Sequence, residues 1–246
     1  MALRARHPDR TAMSPAPTFR RPALSGRYGA LLAAMLAAAL ATGCAQRPPA
    51  PEWELNARGA ADRATQAYLS GNDRVAAQEW RRAREETART ARPDLLARVV
   101  LLECATRVAS LAQVGCPDFA PLRGGAAAAE RAYADYLEGR AGGAEAGLLP
   151  PAQRAVQAEG TPALAGVADP LARLLAAAVL HVRGQGGPDV SQNAIDAASS
   201  QGWRRPLLAW LLLAEREARA GGDARRADQL RQRVDVLGQG EAAGVR

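Results

Sequence analysis

From Trp53 to Leu237 the apolar residues recur at three- and four-residue spacing, interrupted by Gly and Pro. That period predicts amphipathic helices; strands would need strict alternation. The pattern places helices over 53–69, 73–90, 94–110, 125–138, 144–157, 169–182, 189–200, 206–220 and 223–237. Pro93, Pro170 and Pro206 stand near helix starts, where a missing N–H costs nothing. Asp94, Asp169 and Asp223 stand at or near N-caps, and Gly71, Gly139 and Gly184 at or near C-termini. The helix from Asp94 is apolar almost all round, as is Pro206 to Ala214, so both need neighbours on several sides. The helix from Val75 carries Arg81, Arg82, Arg84, Glu85 and Glu86 and belongs at the surface. Buried helices alternating with surface ones are what stacked hairpins produce. The expected fold is all-α, an irregular α-solenoid of stacked helical hairpins.

One segment hints at a repeat. Gly71 and Asn72 make a turn, after which Ala76, Trp80 and Ala83 share a helix face at i, i+4 and i+7. A second copy starts at Gly222-Asp223, with Ala227, Leu230 and Val234, and a weaker one follows Gly139. Ala67-Tyr68-Leu69-Ser70-Gly71 and Asp135-Tyr136-Leu137-Glu138-Gly139 are alike, and their glycines lie 68 residues apart, two periods of 34. These segments resemble the tetratricopeptide repeat. Two departures mark the array as irregular: the closing proline is displaced to Pro93, and the interval from Gly139 to Gly222 does not fit the period. The resemblance implies that the first helix of each hairpin lines a concave groove. Three residues before the turn glycines stand Tyr68, Tyr136 and Arg219, with Tyr133 and Arg216 three residues before the last two. Tyr and Arg are frequent binding anchors, so these five are the groove candidates. The competing reading packs the tyrosines over the turn onto the second helix, with their hydroxyls exposed.

Ahead of the helices lies a different pattern. Arg20, Arg21 and Arg27 precede an unbroken apolar run from Ala30 to Ala41, followed by Thr42, Gly43 and Cys44. A positive segment, a short apolar run and small residues make a secretory signal. The cysteine at its end resembles the bacterial lipoprotein signal, with Met1 or Met13 as the start and with Ala41 where that pattern usually has Leu. The resemblance implies a diacylglyceride and an acyl chain on Cys44, enough for stable anchoring. It also implies sorting to the periplasmic face of the outer membrane, because Ala45 and Gln46 follow and Asp does not. An uncleaved membrane span and an ordinary cleaved signal are the alternatives, the span weakened by its Ala, Gly and Thr content. The chain thus divides into a signal at 1–43, a lipidated cysteine with a Pro-rich linker at 44–52, a helical repeat-like domain at 53–238 and a flexible tail at 239–246.

The net charge of +7 invites a nucleic-acid reading, and its distribution removes it. Residues 1–43 hold six Arg and one Asp, leaving 26 Arg against 24 acidic residues beyond them. Those charges alternate along the helices as on solvated faces. Cys104 and Cys116 would lie in an oxidising compartment, where a disulfide is the default and two buried thiols the alternative. The bridge requires the helix to end near Ser110.

No HExxH, P-loop or GxSxG occurs. His181 sits on an apolar helix end, and Gly184 to Gly187 follow a helix, so neither suggests catalysis or phosphate binding. No catalytic residue, metal or cofactor is expected. The expected function is a lipid-anchored scaffold or assembly factor that binds an envelope protein. A wall-associated hydrolase, or its helical module, would need a buried carboxylate in a cleft. A small-ligand binder would need a closed apolar pocket.

Overall fold

A computed structural model describes residues 49–113 and 115–244. The signal segment, Cys44 and most of the linker lie outside the described residues. From Ala50 onward the chain forms one compact unit. Every regular element among the described residues is helical.

Helices α1 (Glu52–Ser70) and α2 (Asp73–Ala88) form the first hairpin. Its interface is built from small side chains: Ala60, Ala61 and Ala64 on α1 face Ala76 and Ala83 on α2, and Trp80 fills the remaining gap. The turn follows from Gly71, whose φ of 94° suits a residue without Cβ. Its N–H donates to the Tyr68 carbonyl (3.0 Å) and the Asn72 N–H to that of Ala67 (2.8 Å), the closure expected of a left-handed C-terminal residue. Asn72 Oδ1 then accepts from the Val75 N–H and starts α2. The same closure recurs at Gly139, Gly184 and Gly222, and Asp223 repeats the cap by accepting from Arg226 N–H. The likeness of these segments in the sequence is therefore a likeness of turn.

Helix α3 (Pro93–Ala109) is the centre of the molecule, packed against α1 and α2 and against three elements that follow: a 3-10 turn (Pro117–Leu122), α4 (Ala128–Leu137) and α6 (Pro170–Val182). Its all-round apolar pattern is the consequence. The helix ends at Ser110, and Cys104 is disulfide-bonded to Cys116 with the Cα atoms 5.6 Å apart.

The segment 144–157 is not one helix. A 3-10 turn (Ala146–Leu148) precedes α5 (Pro151–Glu159), which opens on Pro151. Pro150 and Pro151 lack the N–H groups a continuous helix would need, and the residue before a proline is pushed to extended backbone. The chain's turn at Gly139 is formed, yet no α-helix follows it directly, so the third repeat copy stops at its turn.

Helices α6, α7 (Pro188–Ser200), α8 (Arg204–Ala220) and α9 (Ala224–Gly244) pack as consecutive neighbours. Helix α9 continues through 239–244, residues expected in a tail. Helix α8 also returns to α1. Trp203 Nε1 donates to Gln66 Oε1 (3.0 Å), Arg205 Nε donates to the Tyr68 carbonyl (2.7 Å), and Arg205 pairs with Asp73. The hairpins are therefore stacked but not in a straight row.

Arginine–carboxylate pairs join successive helices: Arg63 with Glu79 (2.8 Å), Arg84 with Glu103, Arg98 with Glu130 (2.7 Å) and Arg231 with Glu215 (2.6 Å). Glu103, Glu130 and Glu215 are buried. Glu103 and Glu215 each hold a second arginine, Arg107 and Arg219, so of these three Glu130 alone depends on one partner, Arg98. Among the described residues no helix is long and apolar enough to cross a membrane.

Candidate binding grooves

The five groove candidates do not line one groove. Tyr68, Tyr136 and Arg219 occupy equivalent places, three residues before a turn glycine, and their carbonyls accept the same kind of N–H. Their side chains lie in three different surroundings. Tyr68 is half-buried beneath Arg205, whose guanidinium stands 4.4 Å from the ring centre. Burial pushes its hydroxyl above the usual tyrosine range and Arg205 opposes the shift. Tyr136 is 1% exposed, and its hydroxyl finds no hydrogen-bond partner among the described residues. It stacks on Tyr133 with ring centres 6.2 Å apart, and burial pushes both hydroxyls well up. A side chain so enclosed cannot anchor a partner. Tyr136 belongs to the core, with its hydroxyl buried where the packing alternative expected it exposed.

Tyr133 is half-buried and lines a cavity of about 240 Å³ between α3 and α4. Leu101, Leu102, Ala129 and Leu148 supply most of the rest of its wall, and Leu148 is exposed. Arg98 and Glu130 stand at the same wall. Glu130 Oε1 accepts from Arg98 Nε at 2.7 Å, while Oε2 is buried without a hydrogen-bond partner.

A second cavity of about 380 Å³ adjoins the first and shares Arg98 and Leu102 with it. Trp53, Ala57 and Ala61 of α1 face Leu95 and Val99 of α3 across it. Ion pairs close off its rim charges: Arg92 bonds Asp94 at 2.7 Å and Arg58 approaches Glu54 at 3.5 Å. The Arg92 guanidinium holds the Asp94 carboxyl below the usual carboxylate range. Together the two cavities form an apolar groove over α1, α3 and α4, crossed midway by the Arg98–Glu130 pair. Of the five candidates only Tyr133 lines it.

Arg216 and Arg219 line a separate cleft of about 460 Å³ between α8 and α9, with Arg231 and Glu215. A fourth and larger opening of about 700 Å³ lies over α8 and α9 beside Leu207, Val236 and Leu237.

Helix periodicity alone missed Trp53, Val99 and Leu102. Those residues read as ordinary apolar helix positions; each is half-buried, and Val99 and Leu102 pack on the α1–α2 interface while lining the groove. Glu130 and Glu215 are buried, against the general expectation that the charges of the helices lie on solvated faces. His181 lies edge-on to Trp210, with ring centres 6.0 Å apart, a packing contact. Among the described residues no group of His, Cys, Asp and Glu is placed to hold a metal ion.

No family model matches the chain, and neither a curated protein nor a solved structure matches it.

Proposed function

We propose that this chain is an envelope lipoprotein, held at the periplasmic face of the outer membrane by acyl chains on Cys44. Its helical body docks an envelope protein and serves as a scaffold or assembly factor. The observation that carries the reading is the apolar groove over α1, α3 and α4. The groove suits an apolar segment of a partner, with an N–H or hydroxyl to meet Glu130 Oε2.

Binding explains the arrangement better than catalysis. Hydrolysis of a glycosidic bond uses two carboxyl groups about 5–10 Å apart. The α3–α4 cavity has Glu130 alone on its wall and the α8–α9 cleft has Glu215 alone, each tied to arginine, while the cavity beside α1 has Glu54, paired with Arg58, and Asp62.

Leu102 sits on the wall common to both cavities, and a carboxylate there would oppose an apolar partner. Leu102→Glu should abolish co-purification of the partner from detergent-solubilised membranes while the helical circular dichroism stays unchanged. Undiminished co-purification with the variant would contradict the proposal.

A further inference from the structure

The α8–α9 cleft has features the scaffold reading does not use. Glu215 is buried, with its side chain 4% exposed, and its Oε1 accepts from two arginines. Arg219 Nη2 reaches it at 2.8 Å from one turn further along α8. Arg231 reaches it from α9 through Nη2 at 2.6 Å and Nε at 2.9 Å. A guanidinium has five N–H donors, so each retains donors that Glu215 does not use. Both arginine side chains stay about half exposed, at 57% and 48%. Arg216 stands three residues before Arg219 on the same wall and is exposed. Three positive charges against one negative leave the cleft a net of +2.

A buried carboxylate is clasped by one arginine at Glu130 and by two at Glu103, where Arg84 and Arg107 converge. The α8–α9 cleft likewise has two guanidiniums fixed in direction by a buried carboxylate, and adds a third, Arg216, beside them on the same wall. Arginines oriented in this way bind oxyanions through paired N–H groups. The other wall of the cleft is apolar: Leu111, Ala209 and Leu212, with Leu212 37% exposed. Its volume of about 460 Å³ falls within the span of small-ligand sites.

We infer that this cleft binds a phosphate monoester carried on an apolar group, with Arg216, Arg219 and Arg231 on the phosphate and Leu111 and Leu212 against the apolar part. The charge selects the class: a phosphate monoester carries about two negative charges at neutral pH, matching the cleft, whereas a single carboxylate leaves it half neutralised. Glu215 is a positioning residue, holding Arg219 and Arg231 toward the ligand. The site is independent of the apolar groove.

The test is calorimetric titration of the full-length protein in detergent with phenyl phosphate, at low ionic strength. Saturable binding is expected, weakened about tenfold in Arg216→Ala, the equivalent of one charge-assisted hydrogen bond. Arg216 takes no part in the Glu215 clasp, so that variant keeps the helices joined, and its melting curve checks this. Competition by dihexanoyl phosphatidic acid would support the inference and assign the natural source to a lipid headgroup. Binding of phenyl phosphate without that competition would support it with a soluble ester as the source. Absence of saturable phenyl phosphate binding would overturn it, as would equal binding by Arg216→Ala or preference for a glutamate-rich peptide over phenyl phosphate.

Discussion

Tyr136 is a large polar side chain held in an apolar interior with its hydroxyl unpaired. A buried hydroxyl without a partner opposes folding, and its removal at constant shape is neutral or stabilising. Tyr136→Phe should therefore keep or raise the unfolding free energy, by up to about 2 kcal/mol, while Tyr136→Ala should lower it by about 3–5 kcal/mol. Denaturant titration separates these outcomes, and a marked loss in the Phe variant would show that the hydroxyl is bonded. Burial also raises this hydroxyl's pKa above the 10.0 of free tyrosine. The folded chain keeps the proton where the unfolded chain releases it, so stability is full below pH 10 and falls above it. The slope is about 1.4 kcal/mol per pH unit for this residue, and Tyr136→Phe should flatten it. In the sequence Tyr136 looked interchangeable with Tyr68 because both stand three residues before a turn glycine. Local spacing determined their backbone roles correctly. It carried no information on which helix would lie over each ring.

Among the elements, those that depend on local chemistry were legible. Gly71 and Asn72, and Gly222 and Asp223, close and restart helices as their residue types require. Apolar periodicity likewise placed α3 in the interior. The segment from Gly139 to Glu159 was misjudged, because its Ala and Leu content suggests helix while Pro150 and Pro151 forbid continuity. The stretch after α3 depends on a covalent tie that spacing merely allows. The Cys104–Cys116 bridge encloses a loop with a sequence separation of 12, a constraint worth about 3 kcal/mol in the unfolded chain. Reduction should lower stability by about that amount and loosen the turn that carries Phe119. Equal melting curves with and without reductant would contradict this.

At the scale of the molecule, α3 gathers α1, α2, α4 and α6 around itself, and α8 ties back to α1 through Trp203 and Arg205. The grooves arise from this arrangement and from no local motif, which is why four of the five groove candidates fell elsewhere. Anchoring belongs to the same scale. On the proposed anchoring at Cys44, Cys44→Ser should end palmitate incorporation; undiminished incorporation would contradict it. Anchoring leaves the central claim open, since a lipoprotein need not dock anything. The most direct measurement is photo-crosslinking in living cells from position 102, with position 82 on the outer face of α2 as control. The account predicts one discrete protein adduct from 102, absent from 82, and identified by mass spectrometry of the membrane fraction. No adduct from 102, or the same adducts from both positions, would contradict it.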